Sequence, residues 1–273
     1  MIEVNSFSMI TDELISIINN SLNDLLKKDP EDYVLLLASG DYNEVIDKNK
    51  NLGISPYTIS GHNADYYFDY TRQSFLCEFL NKYYRFLDND VLEDDEYRMN
   101  IEFLIYTHIW EAKVFLKRLT RLANVLCGND YVWEVIIPFN GKSNFIKEKI
   151  VKHFNYVNCK LGEIITNYHN TDLRNAIAHS DYQIEVNSKK IIFATKKGTS
   201  AISFDDWSRC FVYSICLSYH FSDIVTKRRK NIINDLDKNR FTIKMPFSDG
   251  SIQHVFIKYL EDFDDFAFVM KNQ

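Results

Sequence analysis

From Ile101 to Leu126, apolar side chains return at steps of three and four residues: Ile101, Leu104, Ile105, Ile109, Ala112, Phe115, Leu116, Leu119, Leu122, Ala123 and Leu126, with His108 on the same stripe. That spacing follows the 3.6-residue turn of an α-helix, not the period of two that marks a half-buried strand. A stripe of about seven turns has to be covered. Leu14, Ile17, Ile18, Leu22, Leu25 and Leu26 give a second stripe over residues 11–28, with Thr11 or Asp12 as its cap. Residues 67–87, 143–156, 160–179 and 204 to about 236 carry further helical patterns. Only eight Gly and four Pro interrupt 273 residues, and a hydrophobic fraction of 46% supplies a core.

Two stretches break the helical rule. Tyr182–Val186 and Lys190–Thr195 flank Asn-Ser-Lys and read as a β-hairpin inserted between helices, and residues 241–245 and 252–259 read as a second hairpin around Ser-Asp-Gly. Pro30, Gly40, Gly53, Pro56 and Gly61 break up residues 29–65. The expected fold is therefore mainly α: a bundle of four to five helices with a small inserted β-hairpin and a short C-terminal one. Residues 1–66 are expected to form an N-terminal helix plus irregular linker, 67–236 the bundle, and 237–273 a hairpin appendage.

Charge and cysteine usage exclude several function classes. A net charge of −6 argues against a protein that coats nucleic acid over its whole surface, although Asp88–Glu96 is acidic while Lys113, Lys117, Arg118 and Arg121 share a helix and Lys227–Lys230 closes another. Five scattered cysteines form neither a disulfide framework nor a C-x-x-C cluster, and His62, His153, His169, His220 and His254 show no ligand spacing, so no metal site and no cofactor is expected. Trp110, Trp133 and Trp207 read as core or interface aromatics. With no signal peptide and no apolar run near the roughly 20 residues of a membrane span, the expected location is cytoplasmic, with no membrane partner.

The stretch that carries chemistry is Leu173-Arg-Asn-Ala-Ile-Ala-His-Ser180. Leu173, Ala176 and Ile177 continue the stripe of Leu161, Ile164, Ile165 and Tyr168, so the segment forms the last turns of a helix and leaves Arg174, Asn175 and His179 off the core face. Asn175 and His179 are four apart and share a side, whereas Arg174 and His179 are five apart and diverge by roughly 140°. An unwound helix end removes that divergence, and so does a second copy meeting the first across a two-fold axis; the dimer is the favoured solution. Guanidinium forks hold phosphate oxygens and an imidazole exchanges protons near neutral pH, which suits phosphoryl transfer on RNA with its 2′-hydroxyl as nucleophile.

Arg174, Asn175, three intervening residues and His179, near the end of a helix in a helical bundle, resemble the Arg-(x)4–6-His signature of HEPN domains. The hairpin and long helix that follow also resemble the versions found in bacterial defence, abortive-infection and toxin proteins. The resemblance covers roughly residues 67–236, and only the six-residue motif is specific. It implies a metal-independent endoribonuclease working as a homodimer with a composite site. Arg174 would bind the scissile phosphate, His179 would move a proton at the 2′-hydroxyl or the leaving oxygen, and Asn175 would orient one of them. Products would be a 2′,3′-cyclic phosphate and a 5′-hydroxyl.

The toxin branch with a nucleotidyltransferase antitoxin places a modified Tyr two residues after the His. Here that position is Asp181 and Tyr182 follows, which disfavours such regulation and leaves Asp181 as a carboxylate beside the imidazole. His108 and Glu111 are further candidates to reach the motif, and Lys113, Lys117 and Arg118 to guide RNA. The resemblance leaves room for an antitoxin or regulatory partner and for a sensing or restraining role of the terminal segments. The alternative from a different class is a non-catalytic dimerisation module that binds RNA, nucleotide or a partner protein.

Overall fold

The computed structural model describes residues 2–49, 55–59, 64–84, 91–92, 94–247 and 251–269. A two-residue strand, β1 (Ile2–Glu3), leads into α1 (Val4–Lys28), where buried Ile10, Leu14, Ile18, Leu22 and Leu25 form one stripe. α1 begins before the expected cap at Thr11 or Asp12 because Ile10 adds another turn to that stripe. Asp29 then caps α2 (Pro30–Leu37) by accepting from the Glu31 and Asp32 amides at 3.0 and 3.1 Å. β2 (Asp41–Tyr42), α3 (Glu44–Lys48) and β3 (Tyr57–Thr58) follow, with β2 and β3 antiparallel. α4 (Ala64–Tyr83) precedes β4 (Val91–Leu92), which pairs with β1. Gly53, Gly61, His62, residues 88–90 and 93 of the acidic run, and the turn at 248–250 lie outside the described residues.

The stripe from Ile101 to Leu126 proves to be two helices, α5 (Glu96–Glu111) and α6 (Lys113–Leu126), separated at Ala112 by an extended ψ of 109°. α5 buries Arg98, Met99, Glu102, Phe103, Ile105, Tyr106, Ile109 and Trp110. Its core face is thus rotated from the expected one, and Leu104 is 62% exposed. A buried carboxylate lies on the rotated face: Glu102 accepts from Tyr84 Oη at 2.6 Å, Arg98 Nε at 2.9 Å and Trp207 Nε1 at 2.8 Å. Such a group is tolerated inside only when its lone pairs are met. α6 then presents Phe115, Leu116, Leu119, Leu122, Ala123 and Leu126 to the core.

α7 (Lys142–Phe145), a π-helical stretch (Ile146–Val151) and α8 (Lys152–Tyr156) run on without a break. The expected helix over 160–179 divides into α9 (Lys160–Tyr168) and α10 (Thr171–His179), because Asn170 caps α10 by accepting from the Leu173 amide at 3.0 Å. The inserted hairpin gains a strand: β5 (Tyr182–Glu185), β6 (Lys190–Thr195) and β7 (Gly198–Ser203) form an antiparallel sheet in that order. α11 (Phe204–Lys230) and the short α12 (Ile232–Leu236) replace the single last helix. β8 (Arg240–Pro246), β9 (Ile252–Leu260) and β10 (Asp265–Phe268) close the chain as a three-stranded sheet, again one strand more than expected.

α11 is the central element, packed against α1, α2, α4, α5 and α9. Buried side chains from residues 1–66, 67–236 and 237–273 join one cluster, with Leu14 and Ile18 from α1 and Phe241, Ile243 and Ile257 from the last sheet all at most 1% exposed. The terminal segments are therefore built into the bundle's core, since α11 needs α1 and α2 to cover it. Lys244 on β8 reaches Asp29 at 2.7 Å and ties the last sheet to the start of α2. Among the described residues no helix is long and apolar enough to cross a membrane.

Candidate active site

α10 is positioned at both ends. At its start the Tyr106 hydroxyl, projecting from α5, accepts from the Asn170 amide at 2.8 Å and donates to the Tyr168 carbonyl at 3.0 Å, which pins the α9–α10 junction. At its end Ser180 adopts the left-handed conformation (φ 59°), the Ser180 amide donates to the Ile177 carbonyl at 3.2 Å, and the Asp181 amide donates to the Ala176 carbonyl at 2.8 Å. These two bonds are the Schellman closure of a helix. The helix therefore stays wound through His179, so unwinding is not what brings the motif together. Leu173, Ala176 and Ile177 face the core, as their spacing predicted.

The opposite side of α10 forms one wall of an open cleft of about 530 Å³. Arg174, Asn175, His179 and Asp181 line it together with Glu111 from the end of α5, Lys142 from the start of α7, and Thr195 and Lys196 from the rim of β6. One chain thus places the guanidinium and the imidazole on a common cleft despite their divergence around the axis. α5 ends at Glu111 and packs against α10, which sets that carboxylate beside the motif.

Glu111 is the hub of the charges. Its carboxylate accepts from Arg174 Nη2 and from Lys142 Nζ, while Arg174 Nη1 donates to Asn175 Oδ1 at 2.9 Å. The Arg174 side chain is only 15% exposed, and its Nε–H is buried with no hydrogen-bond partner among the described residues. An unmet buried donor costs about 1–3 kcal/mol, so this side chain is held in place at some expense of stability. Behind it, His169 packs on Trp110 with ring centroids 4.7 Å apart. Burial, and then the Arg174 charge, push the His169 pKa down to about 4, which keeps that imidazole neutral beside the guanidinium. His179 itself is exposed at the cleft.

Other sequence candidates lie elsewhere. His108 is exposed and does not line the cleft, because the rotation of α5 turns it outward. Tyr182 donates to Asn100 Oδ1 at 2.9 Å and sets its ring against Phe103, a packing position. Lys117 and Arg121 clasp Asp41 at 2.8 and 2.6 Å, Arg118 reaches Ser222 at 3.5 Å, and Lys113 is exposed; none of them lines the cleft. Lys142, Phe139 and His169 were not singled out from the sequence as site residues, although Asn140-Gly141 signals a turn just before Lys142. Among the described residues no group of three or more His, Cys, Asp or Glu is placed to hold a metal ion.

A larger cleft of about 950 Å³ opens between the starts of α1 and α11, but it is lined by neither Arg174 nor His179. Compared with the models of known protein families, with curated proteins and with solved structures, the chain matches none.

Proposed function

We propose that the chain is a metal-independent endoribonuclease of the HEPN kind, cutting RNA by attack of a 2′-hydroxyl on the adjacent phosphate. The observation that carries the reading is the shared cleft: Arg174, Asn175 and His179 face it together with Lys142 and Glu111. The 2′-oxygen forms its bond to phosphorus as the bond to the 5′-oxygen breaks, leaving a 2′,3′-cyclic phosphate and a 5′-hydroxyl. Arg174 and Lys142 offset the charge that grows on the non-bridging oxygens, with Glu111 and Asn175 fixing the guanidinium. His179 takes the proton from the 2′-hydroxyl or gives one to the leaving oxygen. Both transfers are needed in one turnover, so a homodimer whose two copies contribute an imidazole each is the assembly this chemistry favours. A toxin or anti-phage effector is the role that goes with the resemblance.

The test is end-group chemistry. Purified protein incubated with RNA in EDTA is expected to leave 2′,3′-cyclic phosphate and 5′-hydroxyl termini, and a substrate carrying 2′-deoxyribose at the cut site is expected to resist. Termini of the opposite polarity, or cutting of the 2′-deoxy substrate, count against the proposal.

The second reading, a non-catalytic module that binds RNA, nucleotide or a partner protein, is favoured by the ion pair that engages Arg174 with Glu111. It predicts RNA binding that survives His179→Ala, is lost in Arg174→Ala, and is accompanied by no cleavage.

A further inference from the structure

Phe139 stands at the mouth of the cleft with 92% of its surface exposed, on the turn that leads through Gly141 (φ 79°) into Lys142. Lys142 Nζ lies over that ring, 6.0 Å from its centre, so the cation stands on one side of an otherwise exposed aromatic ring at the entrance.

The charges lining the cleft nearly balance: Lys142, Arg174 and Lys196 oppose Glu111, Asp172 and Asp181, with His179 among them. Phosphate attraction alone is therefore a weak source of affinity here, in a chain whose net charge is −6. A contact to the base has to contribute, and the exposed π-face at the entrance is the group suited to it. The volume of about 530 Å³ exceeds the roughly 300 Å³ at which ligand sites begin, which is room for a nucleotide unit.

We infer that Phe139 is a stacking platform for an unpaired base flanking the scissile phosphate. The inference rests on the ribonuclease reading and adds a binding residue to it. A base inside a duplex is already covered on both faces by its neighbours, whereas an unpaired base offers a free face to an aromatic ring. Because one ring stacks on any base, Phe139 gives a preference for strand state over base identity.

The probe is a short fluorescent 2′-fluoro RNA, which lacks the attacking hydroxyl, offered to the full-length protein as a single strand and annealed to its complement. The single strand is expected to bind at least about tenfold more tightly than the duplex. Phe139→Ala is expected to lose about 5- to 100-fold of single-strand affinity with an unchanged melting temperature, and Phe139→Trp to recover it. If Phe139→Ala binds as tightly as wild type, or the duplex binds as tightly as the single strand, the platform is overturned while His179-dependent cleavage still stands. If wild-type protein neither binds nor cuts any RNA, the ribonuclease reading fails and the platform with it.

Discussion

Arg174 is fixed by a carboxylate on one side and an amide oxygen on the other, which makes its shape matter as much as its charge. Arg174→Lys keeps the cation but loses the fork, so cleavage is expected to fall by at least about tenfold while the melting point changes little, as read by single-turnover rates beside a thermal scan. Behind it, His169 gives a stability signature. Its folded pKa of about 4 lies below the ordinary 6.5, so the unfolded chain binds more protons, and the contribution present above pH 6.5 is lost as pH falls through that window toward 4. The full loss is on the order of 3 kcal/mol. Urea unfolding of wild type and His169→Phe between about pH 7 and about pH 4.5 is expected to show a steeper loss for wild type; parallel curves would contradict a buried neutral imidazole. At this scale the motif was legible because Arg174, Asn175 and His179 lie close together in the chain and their apolar neighbours mark the core side. Lys142 and Phe139 were not, because they arrive from a loop remote in sequence, and a lone lysine or phenylalanine carries no periodic signal. His108 falls on the apolar spacing of the sequence, yet it faces solvent because α5 buries a different face.

The helices were legible as patterns and less so as units. Apolar spacing continues across Ala112 and across Asn170, and nothing in it reveals that Glu102 is buried, or that Tyr106 reaches the α9–α10 junction. Asn170 with Asp172 in the next turn has the composition of a helix start, but the apolar spacing of Tyr168 and Leu173 runs straight across it. β7 carries no strand signal, because Gly198–Ser203 is mostly exposed and shows no alternation. These junctions make their own demands. Tyr106→Phe removes the hydroxyl that joins the Tyr168 carbonyl and the Asn170 amide, so a loss of about 1–2 kcal/mol is expected in denaturant unfolding. A drop in cleavage out of proportion to that loss is expected too, since the start of α10 is what the hydroxyl holds. Glu102→Leu removes the buried carboxylate that Tyr84, Arg98 and Trp207 share, and a loss of about 3–5 kcal/mol is expected in the same measurement.

Over the whole molecule, α1 and the last sheet share the core with α11, which the division of the sequence at 66 and 236 did not convey. Breaks in local pattern mark where the chain turns; they do not show which surfaces it covers. Removal of residues 237–273 strips Phe241, Ile243 and Ile257 from that core and exposes α2, so the truncated chain is expected to lose cooperative unfolding and to bind a hydrophobic dye. A truncated chain that melts as sharply as the full one would mean the sheet is an independent appendage. All of this architecture brings a guanidinium and an imidazole to one solvent-open cleft. The decisive measurement is the single-turnover rate of RNA cleavage in EDTA for wild type, His179→Ala and Arg174→Ala. Wild type is expected to cut, with each variant slower by at least about a hundredfold and as well folded as wild type. Equal cutting by His179→Ala, or no cutting by wild type on any RNA, contradicts a phosphodiester-cleaving site at α10.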